Sequence, residues 1–335
     1  MNTVPASYQE RTFSPIYHSY ALWDTHTGNT LTNNVGGSLN TNSGTISHSR
    51  NNTLYRGPSE DNLLIQAWLS PLDPYKRHQD VRNLRIDGIG DWVLNSNEFE
   101  SWRGGRNSSE KCVLLCYGGQ GVGKTFIRYK GPLAVWARLT RNENSSLIID
   151  TLRNRTRGES AAVSSLYCDY QASNQSPVNM IGALLKQVVA GPAEIPAEIM
   201  YYFKESRKLG GQGLRLTDMV NLFVKASSSF KRVFVCIDAV DELLAKDRPD
   251  FIRALRHIID GAPNIRLLLT SRPHVRVELN KHLADRAYII QVEADQGDIT
   301  RYVQLKIDDD PHPGLMSEDL RKGIIKAMLE KTSGM

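Results

Sequence analysis

The sequence predicts an α/β fold: a parallel sheet flanked by helices, preceded by a disordered N-terminal arm and followed by a helical C-terminal end. Three observations carry that expectation. Five short apolar runs recur along the chain: CVLLCY from Cys112, AVSSLYCDY from Ala162, RVFVCID from Arg232, IRLLLTS from Ile265 and AYIIQVE from Ala287. Each is too short and too apolar or β-branched to prefer a helix. Amphipathic stretches lie between them, and a glycine-rich loop directly follows the first run. Strand–helix alternation separated by turn residues places crossover helices on both faces of a parallel sheet.

In chain order, residues 1–57 are dominated by Asn, Thr, Ser and Gly. They offer too little apolar surface to offset the entropy of ordering, so they read as a low-complexity, disordered arm. Residues 58–105 form a helical segment ahead of the main domain: LLIQAWLSPL and DWVLNSNEFESW place apolar groups at helical spacing, with Trp92, Phe99 and Trp102 able to share one face. Arg103 to Glu110 is a polar linker, and the main domain covers 106–294. Within it, Ile181, Leu184, Leu185 and Val188 make one helical stripe closed by Gly191-Pro192. Ile252, Leu255, Ile258 and Ile259 make another, closed by Gly261 and Pro263. Residues 295–335 read as the start of a helical subdomain that stops within a helical run.

Composition narrows the class. The 335 residues allow one large or two modest domains, with 40% hydrophobic residues to build a core. The formal charge of +5 comes from 41 basic against 36 acidic residues without a long basic run. No aromatic–basic stripe or nucleic-acid module accompanies it, so nucleic acid is not an expected partner. Cys112, Cys116, Cys168 and Cys236 sit in apolar runs without metal-knuckle spacing and read as core thiols of a reducing compartment. No apolar run approaches the roughly 18 residues of a membrane span, and MNTVPASYQE lacks the regions of a signal peptide. A cytoplasmic location is expected.

The chemistry concentrates in three places. Gly118, Gly119, Gln120, Gly121, Val122, Gly123, Lys124 and Thr125 match a phosphate loop in the required context, directly after a strand. Glycines let successive N–H groups turn inward around an anion, and the next helix aims its positive end at the same point. Lys124 would reach the β- and γ-phosphates and the Thr125 hydroxyl would ligate Mg²⁺. A chance match in a glycine-rich loop is the competing account. Asp238 ends an apolar strand, the place of the second Mg²⁺-organising group, and Asp241 and Glu242 follow it. One of those two acids would orient or deprotonate the attacking water, and the spacing does not choose between them. A solvated loop is the bland alternative for this triplet. A strand from Ile265 to Thr270 ends in Ser271-Arg272-Pro273, where the Arg272 cation would contact the γ-phosphate of a ligand bound at the sheet's C-terminal edge. A surface arginine ahead of Pro273 is the bland alternative. Lys208-Leu-Gly-Gly-Gln212 looks like a transporter-ATPase signature, but Ala239 and Val240 stand where that family needs an acid, so a loop between helices is the better reading.

GGQGVGKT, VFVCIDAVDE and RLLLTSRP together resemble the NACHT group of signal-transduction (STAND) P-loop ATPases. WLSPLDPYKRHQDVR and GIGDWVLNSNEFESW are similar to the region that precedes this domain in fungal, nephrocystin-like members. The resemblance spans roughly Gln66 to Arg301. It implies the strand order 5-1-4-3-2, with the Arg272 strand between those of Gly118 and Asp238. It also implies ATP or GTP bound with Mg²⁺, slow hydrolysis used as a switch, and a homo-oligomer in the triphosphate state. Fungal non-self recognition or cell-death signalling is the implied setting. Such proteins continue into helical, winged-helix and repeat elements, and this chain ends at Met335 before them. A non-hydrolysing assembly scaffold is the second function class; a metabolic kinase lacks any acceptor-site motif. In fungal members Asn-rich N-terminal segments can act as amyloid-type signalling motifs, but apolar positions are sparse in this arm, which favours a plain tail.

One stretch contradicts the rest. A phosphate loop needs an unbroken helix behind it, yet Gly131-Pro132 stops one within two turns. If 128–144 were absent, Ile127, Ile148, Ile149 and Leu152 would form one apolar stripe, with Arg153, Arg155 and Arg157 as a basic last turn. Residues 128–144 therefore read as an insertion, either genuine or a retained intron.

Overall fold

In the computed structural model, the described residues are 60–83, 85–105, 111–118, 145–190, 195–208, 210–211, 213–292, 295–309 and 317–333. The arm 1–57, most of the phosphate loop and the segment 128–144 lie outside them.

Five strands form one sheet: β1 (Val113–Gly118), β2 (Ala161–Tyr167), β3 (Arg232–Asp238), β4 (Ile265–Ser271) and β5 (Ala287–Val292). Their order is β2-β3-β4-β1-β5, and every pairing is parallel. This is the expected P-loop order, with the Arg272 strand between those ending in Gly118 and Asp238. The central strands are buried along nearly their whole length. A strand covered on both faces has no polar side to show, so it reads as a continuous apolar run.

Side chains alternate between two cores, as the pleat requires. Val113, Leu115, Tyr117, Val233, Val235, Ile237, Ile265, Leu267 and Leu269 face one core. It is closed by α1 (Glu60–Leu69), α6 (Pro177–Val189), α7 (Ala197–Lys208), α8 (Leu216–Ser227), α9 (Arg248–Gly261) and α10 (Arg276–Leu283). Leu114, Cys116, Phe234, Cys236, Leu268 and Ile290 face the other. There they meet Val81 of α2 (Pro74–Asn83), Val93 of α3 (Asp91–Leu94), Phe99 and Trp102 of α4 (Asn97–Gly104), and Ile148, Ile149 and Leu152 of α5, helical over 145–155. A third cluster joins Ile89, between α2 and α3, to α11 (Gln296–Asp308) and α12 (Glu318–Ser333).

The segment ahead of β1 is thus built into both cores: α1 covers one face, and α2 to α4 cover the other. Phe99 and Trp102 are fully buried, and the Trp102 indole N–H donates to the Cys112 carbonyl at 3.1 Å. Trp92 does not share their helix, because the chain breaks at Asn95-Ser96, where Ser96 caps α4 by accepting from the Phe99 N–H at 3.2 Å. Trp92 reaches the same cluster from α3 and stays half-buried. Arg103 and Gly104 belong to α4 rather than to a linker. β2 ends at Tyr167, short of the expected Tyr170, since Asp169 folds into a turn that accepts from the Gln171 N–H at 2.9 Å. Helix α6 runs to Val189, and Gly191-Pro192 lies outside the described residues. Lys208 ends α7, and Gly210 and Gly211 at φ 77° and 85° turn the chain towards α8, which agrees with the loop reading. All four cysteines are buried, and burial pushes the Cys116 and Cys236 thiols up to about 12.

Candidate nucleotide site

The site forms where β1, β4 and β3 end side by side. Gly118 is the last residue of β1, and Gly119 to Thr125, including Lys124, lie outside the described residues. A narrow crevice is lined by Gly118, Cys116, Ser145, Ile148 and Thr270, so β1 ends beside the first residues of α5 and the end of β4.

Asp238 ends β3 and is only 2% exposed. Its Oδ1 accepts from the Ser145 hydroxyl and from the Thr270 hydroxyl, both at 2.5 Å. The Thr270 Oγ1 in turn accepts from the Ala239 N–H at 2.9 Å. A buried carboxylate is tolerable only when hydrogen-bonded, and the two hydroxyls come from two different elements, α5 and β4. Ala239 has φ 61°, a left-handed conformation that costs an alanine about 1 kcal/mol. The turn swings the chain away at once, so Asp241 and Glu242 return on a short 3₁₀ turn, Val240–Glu242.

Arg272 contacts both acids. Its backbone N–H donates to Asp241 Oδ1 at 3.1 Å, and its Nε lies 3.2 Å from Oδ2. The Asp241 side chain is 2% exposed, whereas Arg272 keeps about a third of its side chain in solvent. Glu242 is 4.0 Å from the same guanidinium. The three residues singled out by the sequence are therefore brought together, with Arg272 tied most closely to Asp241.

A polar cavity of about 170 Å³ opens at the ends of β2 and β3, lined by Arg77, Tyr167, Asp169, Gln171, Asp238 and Glu242 among others. Tyr167 is the register partner of Asp238. Burial, with the nearby Asp238 charge, pushes its phenol well above the usual tyrosine range.

The donor set fits Mg²⁺. The described residues contain no group of three or more His, Cys, Asp or Glu that would make an all-protein cage. One buried carboxylate among hydroxyls beside a phosphate loop suits an ion that keeps waters and takes its other ligands from phosphate. Asp238 and Thr125 are the residues that would hold it.

Family comparison agrees with this geometry. The family described as "Nephrocystin 3, N-terminal" matches residues 88–130 and 144–272, just over half of the chain. The chain belongs to the nephrocystin 3 N-terminal family. The family match runs from α3 through β1 and resumes at α5 to end at Arg272, leaving 131–143 without counterpart. No curated protein matches. Among solved structures, a Walker-type ATPase of Pyrococcus abyssi is similar at 14% identity and a TM-score of 0.41, covering 73% of this chain and 64% of its own. Cdc6p from Pyrobaculum aerophilum is similar at 15% identity and a TM-score of 0.36, covering 78% and 57%. A Drosophila ORC structure bound to AT-rich DNA and Cdc6 gives 11% and 0.33, covering 82% and 84%. The chain thus spans less than two thirds of the first two structures' own lengths.

Within this family member, sequence reasoning missed Ser145, Thr270, Arg77 and His78. Thr270 carried a usable signal: it precedes the Ser271-Arg272 pair at the same strand end as the chosen arginine. Ser145 carried another, since removal of 128–144 would set it one turn beyond Thr125. Arg77 and His78 sit in PYKRHQDVRN, which shows no motif of its own.

Proposed function

We propose that this chain is a nucleotide-operated signalling switch of the NACHT/STAND type, binding ATP or GTP with Mg²⁺ at Gly118–Thr125 and hydrolysing it slowly to control assembly. The observation that carries the reading is the end of β3: a buried Asp238, gripped by the Ser145 and Thr270 hydroxyls, one strand away from β4 and two from the loop-bearing β1. An ion-organising role accounts for why two elements, α5 and β4, converge on one β3 carboxylate at a phosphate-loop edge. Backbone N–H groups of the loop would hold the phosphates, and Lys124 would reach the β- and γ-phosphates. Mg²⁺, when bound, neutralises charge on the phosphate oxygens. Because Asp241 is engaged by Arg272 from two directions, Glu242, which lines the cavity beside Asp238, is the better candidate to orient the attacking water. Arg272 would contact the γ-phosphate from the β4 end. A homo-oligomer in the triphosphate state, a cytoplasmic location and a role in fungal non-self recognition or cell death belong to the same proposal, and nucleic acid does not.

A non-hydrolysing assembly scaffold is the second reading. It is favoured by the unmatched 131–143, which fall between the phosphate loop and α5, where a regular helix would strengthen the site. One experiment separates the two. Lys124→Ala is expected to abolish nucleotide binding without lowering the melting temperature, and Glu242→Gln to keep binding while hydrolysis falls at least tenfold, a removed general base being worth about 10²–10⁴. Parent protein that binds but does not hydrolyse would support the scaffold. Equal nucleotide retention in the parent and in Lys124→Ala would sink the switch and leave the scaffold, which binds nucleotide weakly or not at all.

A further inference from the structure

His78 of α2 is 1% exposed and hydrogen-bonded at both ring nitrogens. Its Nε2 lies 3.0 Å from Asp150 Oδ1 on α5, and its Nδ1 lies 2.8 Å from the Tyr167 hydroxyl at the end of β2. An ionised carboxylate only accepts, so Nε2 carries a proton, and in the neutral ring Nδ1 accepts from the tyrosine. Burial pushes Asp150 up, yet the His78 hydrogen bond and the charges around it, with Arg82 at 3.5 Å and Arg85 at 2.9 Å from Oδ2, hold its carboxyl below the usual range. The carboxylate is thereby fixed as the acceptor.

Both arms of this contact lead to the same place. Asp150 belongs to the helix whose Ser145 donates to Asp238. Tyr167 is the register partner of Asp238 and lines the cavity beside it. From these connections we propose that α2 is a positioning element of the nucleotide site: His78, through Asp150 and Tyr167, sets the distance between α5 and the end of β3, and so the placement of the Asp238 carboxylate. The segment ahead of β1 then acts on the site through a buried polar joint rather than by cover alone. A well-packed apolar side chain would serve cover equally well, without the cost of burying an imidazole and a carboxylate. Arg77, the preceding residue on α2, lines the cavity shared by Asp238 and Glu242 and adds a second line from the same helix.

The inference rests on the nucleotide reading, and its test keeps the two apart. The full chain is titrated with a non-hydrolysable ATP analogue in Mg²⁺ and in chelator, and the ratio of the two affinities is the readout. Tyr167→Phe removes the hydroxyl end of the joint while preserving shape, and Asp150→Leu removes the acceptor at the other end, which an asparagine amide oxygen would retain. Each is expected to reduce the Mg²⁺ enhancement about threefold, below the roughly 10–100-fold that follows loss of a group bonded to the ligand itself, with affinity in chelator unchanged. His78→Ala should do the same where it folds, and His78→Gln, whose amide matches Nε2, should recover part of the enhancement. An unchanged ratio in Tyr167→Phe and Asp150→Leu, or an equal loss in both buffers, overturns the positioning role. A parent protein without Lys124-dependent binding overturns the nucleotide reading and this inference with it.

Discussion

Arg272 holds Asp241 in two ways at once, from its backbone N–H and from its guanidinium, and the aspartate is the buried member of the pair. Removing the guanidinium takes a charged hydrogen bond from a carboxylate with little access to water, at a cost of about 2 kcal/mol. Arg272→Ala is therefore expected to lower the unfolding free energy by about 2 kcal/mol in nucleotide-free protein, measured by urea denaturation. Arg272→Lys should recover only part, since an ammonium cannot reproduce the fork. The same Arg272→Ala variant should weaken triphosphate binding more than diphosphate binding; comparable losses would place the arginine away from the γ-phosphate. At this scale the sequence revealed residues whose chemistry is tied to a short motif, such as Asp238 at a strand end and Arg272 after Ser271. Ser145, Thr270 and His78 act through contacts spanning 93, 32 and 72 residues of sequence, and no local pattern encodes such pairings.

Elements differ in how openly they declare themselves. β3 and β4 begin and end where the runs RVFVCID and IRLLLTS do, because burial on both faces leaves them mostly apolar, with even Arg266 and Thr270 of β4 buried. Helix α2 is the opposite case. PYKRHQDVRN buries Pro74, His78 and Val81 and docks through ion pairs and hydrogen bonds, so hydrophobic periodicity hardly marks it. Helix α4 combines both modes: Phe99 and Trp102 fill the core, and Trp102 meets Phe234 of β3 edge-on with centroids 5.6 Å apart. Trp102→Ala would leave a cavity at the centre of that face and take from the Cys112 carbonyl one of its two donors, the Leu267 N–H remaining, at a cost of about 3–5 kcal/mol. Chemical denaturation of the full chain measures this, and a loss below about 1 kcal/mol would mean that the segment ahead of β1 is a dispensable cover.

At the scale of the whole molecule, the segment ahead of β1 touches both ends of the described domain. Ile89 packs with Ile299, Tyr302, Val303 and Ile307 of α11, and the Gly90 N–H donates to Asp298 Oδ2 at 3.0 Å, while α2 grips α5. Against this arrangement we propose that 128–144 is an excursion between the phosphate loop and α5. The unmatched 131–143 support it, as do Ile148, Ile149 and Leu152, which form the apolar stripe the joined helix requires. Deleting 128–144 should raise stability by about 1–2 kcal/mol through the lost closure entropy, and should tighten nucleotide binding. Thermal unfolding and nucleotide titration of the deletion variant check this, and a less stable variant would make the segment part of the fold. The sheet order has a further consequence, for the chain as it is being made. β1 leaves the ribosome first, yet its two neighbours, paired at Val113↔Leu267 and Val113↔Ala287, are among the last strands to be translated. β2 and β3 can associate early, while the strand that carries the phosphate loop waits for both β4 and β5. From its own translation until that of β4 and β5, its backbone has no strand partner, so the strand end that leads into the phosphate loop is the last part of the sheet to pair.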